Sequence, residues 1–277
     1  MPSVTLPLIL IIFGSGALAG SIGSMLGLGG GVFLVPLLNL ALGLPLRIAA
    51  AISLCTVIAT SSTVSAGQAG AQLINLRLGM VLEVATVAGS LLGGLTAHLF
   101  SEPALQRLFG IVAILTAGAV LSRINRRNVI LDPSARPGML GGQFFDEESD
   151  RVVTYRVTRL PAALLASFAA GNVSSLLGLG GGILKVPALN TWCGVPVRAA
   201  AATSAFMIGV TAAGGAIIYY GRGDLPALLA APAVLGVQLG SWAGLRLAGG
   251  IPAKWLKVLL TVVLVLVAAL MFFRSAR

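Results

Sequence analysis

Apolar residues occupy most of this chain and fall into ten segments that form two sets of five. The first set covers 4–24, 32–44, 47–68, 79–100 and 105–122, and the second covers 160–177, 183–195, 198–220, 226–248 and 254–273. Eight segments contain 18 to 23 residues, and a helix of about 20 residues crosses a bilayer core of about 30 Å. The pattern predicts an all-α polytopic membrane protein.

One long polar stretch, residues 123–159, separates the two sets. It contains seven arginines and an acidic run at Asp146, Glu147, Glu148 and Asp150, so it is too polar to span a bilayer. We therefore expect a first transmembrane repeat at 1–122, a polar linker at 123–159 and a second transmembrane repeat at 160–277.

The two sets are copies of each other. The motif G-L-G-G-G-x4-P occurs at Gly27–Pro36 and again at Gly178–Pro187, and residues 19–60 match residues 170–211 at 21 of 42 positions without a gap. A match of this extent, which places glycines, prolines, an asparagine and an arginine in register, indicates internal duplication. In transporters, paired glycine-interrupted segments mark the binding site.

The segment that follows each glycine run is too short to cross the bilayer alone, since 13 residues of helix cover about 20 Å. Each glycine run must therefore lie at depth. If the short segments complete a crossing, the repeats are inverted. With Lys185 left out of this count and the next, the linker side then carries 12 basic residues against 5 on the other side. If they re-enter without crossing, the repeats are parallel and the counts are 11 and 6. The positive-inside rule favours inversion, and both arrangements place the linker in the cytoplasm.

Consecutive glycines break a helix and expose backbone N–H groups, and a helix that starts there presents the positive end of its dipole. Two such ends meeting at the midplane would bind an anion, whereas close helix packing with a kink is the alternative interpretation. The residues predicted for this site are Gly27, Gly29, Gly30, Gly31 and Pro36 in the first copy, and Gly180, Gly181, Gly182 and Pro187 in the second.

Lys185 takes the place of Leu34 of the first copy, and a cation within a span costs about 2.5–3.5 kcal/mol by insertion scales. An anionic substrate would be its natural partner, and snorkelling to the interface is the alternative. Asn39 and Asn190 occupy equivalent places and suit either a substrate oxygen or a bridge between helices. Further candidates for a pathway or for proton coupling are Ser53, Thr60, Glu83, Ser204 and Thr211.

Small residues recur every fourth position in the third long helix of each half. The rows are Ala85, Gly89, Gly93 and Ala97, and Gly236, Gly240, Gly244 and Ala248. Such rows let helix backbones approach closely in lipid. We expect them to pack the two halves together.

The charge of +10 does not indicate a nucleic-acid partner, because the basic residues flank apolar runs without interleaved aromatics and suit membrane topology. Two cysteines and one histidine lack metal-ligand spacing, and no cofactor motif is present. The single histidine has no serine elbow to pair with, so we do not expect an enzyme.

The paired glycine motifs, the N-x3-G-x-P-x-R that follows each, the small-residue third helix and the polar centre resemble the TauE/SafE sulfite-exporter family. The resemblance implies a bacterial or archaeal inner-membrane transporter of sulfur oxyanions or organosulfonates. We expect a secondary transporter that works by alternating access at the repeat interface, in the lipid bilayer, with protons as a candidate coupling ion. An anion channel of this architecture, or a scaffold or receptor acting through the linker, are the alternatives. The anion, the transport direction and any homo-oligomer stay open.

Overall fold

A computed structural model describes residues 5–26, 29–68, 73–121, 138–146, 151–248 and 253–275. Within these ranges the regular secondary structure is helical apart from one hairpin, and six of the helices are long and apolar enough to span a membrane. The helices are α1 (Leu6–Leu26), α2 (Gly31–Pro36, continued by a π turn at Leu37–Ala41), α3 (Leu46–Gln68), α4 (Leu76–Thr96), α5 (Glu102–Leu121), α6 (Leu160–Leu177), α7 (Gly182–Trp192), α8 (Val197–Gly221), α9 (Ala227–Ala248) and α10 (Ala253–Ser275). The predicted all-α polytopic fold is confirmed.

Helix boundaries follow local chemistry. Asn75 caps α4 by accepting a hydrogen bond from the backbone N–H of Leu78, as N-cap residues do. α6 has a proline in its first turn and ends at Gly178, whose φ of 71° is left-handed, in keeping with the preference for proline at helix starts and glycine just beyond helix ends. Both ends of α6 are thus set by the sequence, and the second end is the start of a glycine motif.

The two repeats run in opposite directions. α3 and α8 are repeat equivalents and lie antiparallel, since Ser61 bonds to Ala205 while the side chain of Leu54 lies against Gly215. α5 and α10 are also equivalent and also antiparallel, because Arg107 bonds to the carbonyl of Ser275. A two-fold axis along the membrane normal would make these helices parallel, so the axis lies in the membrane plane and the repeats are inverted.

The short segment after each glycine motif completes a crossing, as is clear in the second repeat. α6 and α8 begin together, where the N–H of Thr158 bonds to the carbonyl of Cys193, and they end together, where the Tyr219 hydroxyl bonds to the carbonyl of Ser175. The chain between them, including α7, therefore returns to the side from which α6 started.

Small-residue contacts join the repeats, as predicted. A methyl group built on Gly89 of α4 would lie 2.0 Å from the carbonyl oxygen of Phe168 in α6, and one on Gly240 of α9 would lie 2.0 Å from that of Ala17 in α1. The helices α1 and α9, and likewise α4 and α6, are thus in backbone contact. These pairs are exchanged by the repeat symmetry.

We expect Gly89→Ala to destabilise the protein by about 1–3 kcal/mol or more, because the new methyl overlaps a backbone carbonyl that cannot rotate away. Gly118→Ala in α5 is the control, since a methyl there meets nothing within 4 Å and alanine favours helix. Thermal unfolding of the two purified variants in detergent checks this, and equal midpoints would contradict the close packing.

A β-hairpin lies within the polar stretch between the repeats, which the sequence pattern did not predict. β1 (Gly142–Asp146) pairs antiparallel with β2 (Arg151–Tyr155), and Phe144, Val153 and Tyr155 are buried in a cluster that includes residues of α4 and α8. The amide of Asn75 bonds to the Leu140 carbonyl and to the Tyr155 hydroxyl. The hairpin is therefore packed on the side of the bundle where α4, α6 and α8 begin.

Candidate functional site

The two glycine motifs meet at the centre of the bundle. A methyl group on Gly31 would lie 2.3 Å from the carbonyl oxygen of Gly178 and 2.7 Å from the Ser53 hydroxyl. Ser53 itself donates a 2.6 Å hydrogen bond to that carbonyl. The first glycine run therefore touches the second directly, and α3 ties them together.

The symmetry of the repeats is visible in the walls around the motifs. A methyl group built on either Gly29 or Gly180 would meet the side chains of Val57 in α3 and Ile208 in α8, which are equivalent positions. A cavity of about 10 Å³ lies here between the two halves, which is about the volume that one water needs. It is lined by Gly29, Thr60, Ser61, Val64, Ala205 and Ile208. This cavity is too small for a polyatomic anion.

The second glycine run turns the chain sharply into α7. Gly178, Gly180 and Gly181 have φ values of 71°, 80° and 77°, a region that other residues rarely adopt. The N–H groups of Leu184 and Lys185 bond back to the Gly181 carbonyl. Those of Gly182 and Ile183 precede this ladder, and such first-turn amides need partners from outside the helix.

Two serine hydroxyls stand beside this helix start without a partner. Ser174 and Ser204 are 1% and 0% exposed, and neither hydroxyl has a hydrogen-bond partner among the described residues. A methyl on Gly181 would lie 3.4 Å from the Ser174 hydroxyl, and one on Gly182 would lie 3.4 Å from the Ser204 hydroxyl. Buried hydroxyls are normally bonded, so this pair next to the α7 amides is suited to a ligand.

The first repeat does not offer the same groups. The position equivalent to Ser174 is Gly23, and the position equivalent to Ser204 is Ser53, whose hydroxyl is already bonded to Gly178. The polar environment is therefore concentrated at α7, although the backbone is duplicated.

Lys185 of α7 is fully buried and lies in a small polar cluster. Its Nζ is 3.6 Å from Glu83 Oε2 and donates a 3.1 Å hydrogen bond to the Thr211 hydroxyl. Thr211 lies 2.7 Å from Glu83 Oε1. Lys185 therefore does not snorkel to an interface, and its ammonium is held between α4 and α8.

This cluster breaks the repeat symmetry. The positions equivalent to Lys185, Glu83 and Thr211 are Leu34, Val234 and Thr60, so the charges are absent from the other half. Glu83 belongs to the first repeat and Lys185 to the second. The ion pair thus links the two repeats across their interface.

The two asparagines predicted for the site donate hydrogen bonds to backbone carbonyls of the loops that follow the short helices. The Asn39 amide donates to the Leu44 carbonyl and to Glu102, and the Asn190 amide donates to the Val195 carbonyl. Pro36 and Pro187 lie inside α2 and α7, where each removes an N–H from the helix ladder. Their roles toward a substrate stay predictions.

Other predicted positions have structural partners or lie outside the described residues. Gly30 precedes α2, and its carbonyl accepts from Phe33 and Leu34. The Thr60 hydroxyl bonds back to Thr56 of its own helix. Gly27 lies outside the described residues. Within those residues no three metal-binding side chains come together.

Sequence reasoning missed Ser174, and a signal for it existed. Ser174 replaces Gly23 of the first copy in the last turn of α6, and a polar exchange at a matched position is the same kind of asymmetry that marked Lys185. By contrast, no repeat or spacing in the sequence predicts the hydrogen bond from the Leu46 N–H to the Glu102 carboxylate.

Comparisons with known proteins agree with this architecture. The family model described as "Sulfite exporter TauE/SafE" matches residues 12–271. The probable membrane transporter protein YunE of Bacillus subtilis is 25% identical over 94% of this chain and 96% of its own. A probable membrane transporter protein of Methanocaldococcus jannaschii is 27% identical over 94% of this chain and 92% of its own. No solved structure matches the chain.

Proposed function

The chain belongs to the sulfite exporter TauE/SafE family and is a multi-pass membrane transporter, and on this premise we propose that it carries small anions of the sulfur oxyanion or organosulfonate class. The proposed site is the start of α7, where Gly181 and Gly182 present backbone amides beside Ser174 and Ser204. These two buried hydroxyls without partners are the observation on which the proposal rests. Oxyanions accept several hydrogen bonds at once, as helix starts and hydroxyls supply.

Transport would proceed by alternating access between the two repeats. The cavity beside Gly29, between α3 and α8, is only about 10 Å³ and too small for a polyatomic anion, so the repeats would have to move for an anion to pass, as they do in a carrier. Because Gly31 and Gly178 touch across the interface, a small rotation of one repeat against the other would open space beside α7. Such rocking of inverted repeats is typical of secondary transporters.

For the arrangement in the cell, we propose an inner-membrane protein with repeats at 1–122 and 160–277 and a cytoplasmic linker at 123–159. The inverted topology places Arg77, Arg198 and Arg246 on the same side as the linker, and basic residues accumulate on the cytoplasmic side. An accessibility assay on single cysteines introduced at Met139 and at Asp224, in a variant in which Cys55 and Cys193 are replaced by alanine, tests this. Labelling of Met139 from outside intact cells would contradict it.

A binding screen tests the substrate class. Purified protein is titrated with sulfite, sulfate, thiosulfate, sulfoacetate and taurine, and we expect saturable binding of at least one anion and none of zwitterionic taurine. Absence of binding by every anion at millimolar concentration would contradict the proposal.

We expect Ser174→Ala and Ser204→Ala each to weaken the binding of that anion by about tenfold or more, since a hydrogen bond to a charged group contributes about 1.5–3 kcal/mol. Ser62→Ala is the matched control, because Ser62 is exposed and bonds back to Ile58. Calorimetric titration of the three variants measures this. An effect of Ser62→Ala as large as the other two would remove the serines from the site.

A further inference from the structure

Glu83 is more accessible than its partner Lys185. The Glu83 side chain is 12% exposed and the Lys185 side chain 0%. Glu83 also lines a lateral cavity of about 440 Å³ between α4 and α8, which is open to the surface of the bundle. The other residues that line this cavity are apolar, so in a bilayer it faces lipid and does not supply the proton. Glu83 is nevertheless the more exposed member of the pair, so water that enters between the repeats would reach the carboxylate before the ammonium.

The two oxygens of Glu83 have different surroundings. Oε1 is bonded to the Thr211 hydroxyl. Oε2 has no hydrogen-bond partner among the described residues and has only the Lys185 charge, at 3.6 Å, for compensation. Oε2 is thus the atom on which a proton would be accommodated.

Other ionisable groups do not compete for this role. α6 has none between Leu160 and Leu177, α7 has only Lys185, and α8 presents Thr211 to the carboxylate. On α4 itself the other ionisable residue, Arg77, lies nearly two turns away at the helix start. The charge balance around Glu83 therefore depends on Lys185 alone.

Lys185 also connects this cluster to the start of α7. Long side chains of a helix lean toward its N-terminus, and Lys185 lies one turn after Gly181 and Gly182. On α8, Ser204, Ile208 and Thr211 follow one another at helical spacing on one face. Lys185 is the one ionisable residue of α7, so an anion bound at the amides of this helix would compete with Glu83 for its ammonium.

We propose that Glu83 is a proton-binding site coupled to the anion site through Lys185, so that each anion crosses the membrane together with one proton. When an anion pairs with Lys185, Glu83 loses its counter-charge in an apolar setting, where an unpaired carboxylate is costly. Oε2 then takes one proton from the water on the side to which the site is open. The proton leaves when the anion departs and Lys185 pairs with Glu83 again, and no bond of the anion is changed. This proposal rests on the proposed anion transport.

The test uses the full-length protein in proteoliposomes with ³⁵S-labelled thiosulfate and sulfate, neither of which titrates near neutral pH, and a pH indicator in the lumen. For the wild type we expect accumulation of the anion driven by a pH gradient, with protons moving in the same direction. Glu83→Gln should retain exchange of internal for external anion but lose gradient-driven accumulation by at least tenfold. Retained exchange also demonstrates that the variant is folded.

Glu102→Gln is the matched control, since its amide oxygen can still accept the bond from Leu46, and we expect it to stay coupled. Gradient-driven accumulation by Glu83→Gln at the wild-type level overturns the coupling. So does loss of exchange together with accumulation in a folded Glu83→Gln protein, which would make the residue structural. Wild-type anion flux without proton movement overturns the coupling and leaves anion transport standing. Absence of flux and exchange in the wild type of every anion that it binds overturns the transport proposal and the coupling with it.

Discussion

Replacing Gly31 by alanine should reduce anion transport at least 100-fold while the protein stays folded. The new methyl would lie 2.3 Å from the Gly178 carbonyl and 2.7 Å from the Ser53 hydroxyl, so the two glycine runs must separate. Relief of one such overlap costs about 1–3 kcal/mol, which is less than the stability of most folded proteins. Transport suffers more, because the displaced segments form both the site and the interface along which the repeats move.

Two other glycines make the Gly31 result interpretable. Gly14→Ala in α1 should be neutral, since a methyl there meets nothing within 4 Å. Gly182→Ala, at the position equivalent to Gly31, should retain more transport. Its methyl overlaps only the end of the Ile208 side chain, which can rotate, and lies at ordinary contact distance, 3.4 Å, from the Ser204 hydroxyl. Uptake by proteoliposomes and unfolding midpoints are measured for all three. Near wild-type flux in Gly31→Ala would mean that transport does not depend on contact between the two glycine runs.

Much of the fold could be predicted from the sequence. Helices in lipid must satisfy their own backbone, so apolar runs of sufficient length gave the long helices, and a duplicated motif indicated a two-fold arrangement. Small residues at every fourth position predicted the close contacts of α4 with α6 and of α9 with α1, because helices in a bilayer need small residues to approach closely. These features depend on local composition and on repetition.

Features that depend on distant partners could not be read in this way. The sequence identified Lys185 and Glu83 as separate candidates, yet they are 102 positions apart and only the packing of α7 against α4 and α8 makes them an ion pair. Asn39 and Asn190 have side chains suited to a substrate, and only in the folded chain do their amides donate to the loop carbonyls of Leu44 and Val195. The hairpin in the linker is short, and its burial depends on α4 and α8.

Lys185→Ala should weaken anion binding at least 100-fold, whereas Leu34→Ala at the equivalent position should change it less than threefold. Lys185 is the one cation of α7 and follows the amides of the helix start by one turn, and the equivalent position in the other repeat is Leu34. Removing the lysine also leaves Glu83 buried without its partner, and loss of one member of a buried pair costs about 3–5 kcal/mol. Weaker binding by Lys185→Ala alone would therefore mix a local effect with a loss of stability.

The double variant Glu83→Gln with Lys185→Met separates the two effects. Neutral side chains of similar size remove both charges, and such replacement of a buried pair is often neutral or stabilising, so the unfolding midpoint should return to near the wild-type value. Anion binding should stay at the level of Lys185→Ala, because the cation is still missing. Recovery of both binding and stability in the double variant would show that Lys185 only supports the fold. Equal losses of binding in Lys185→Ala and Leu34→Ala would show that the anion does not distinguish the two repeats.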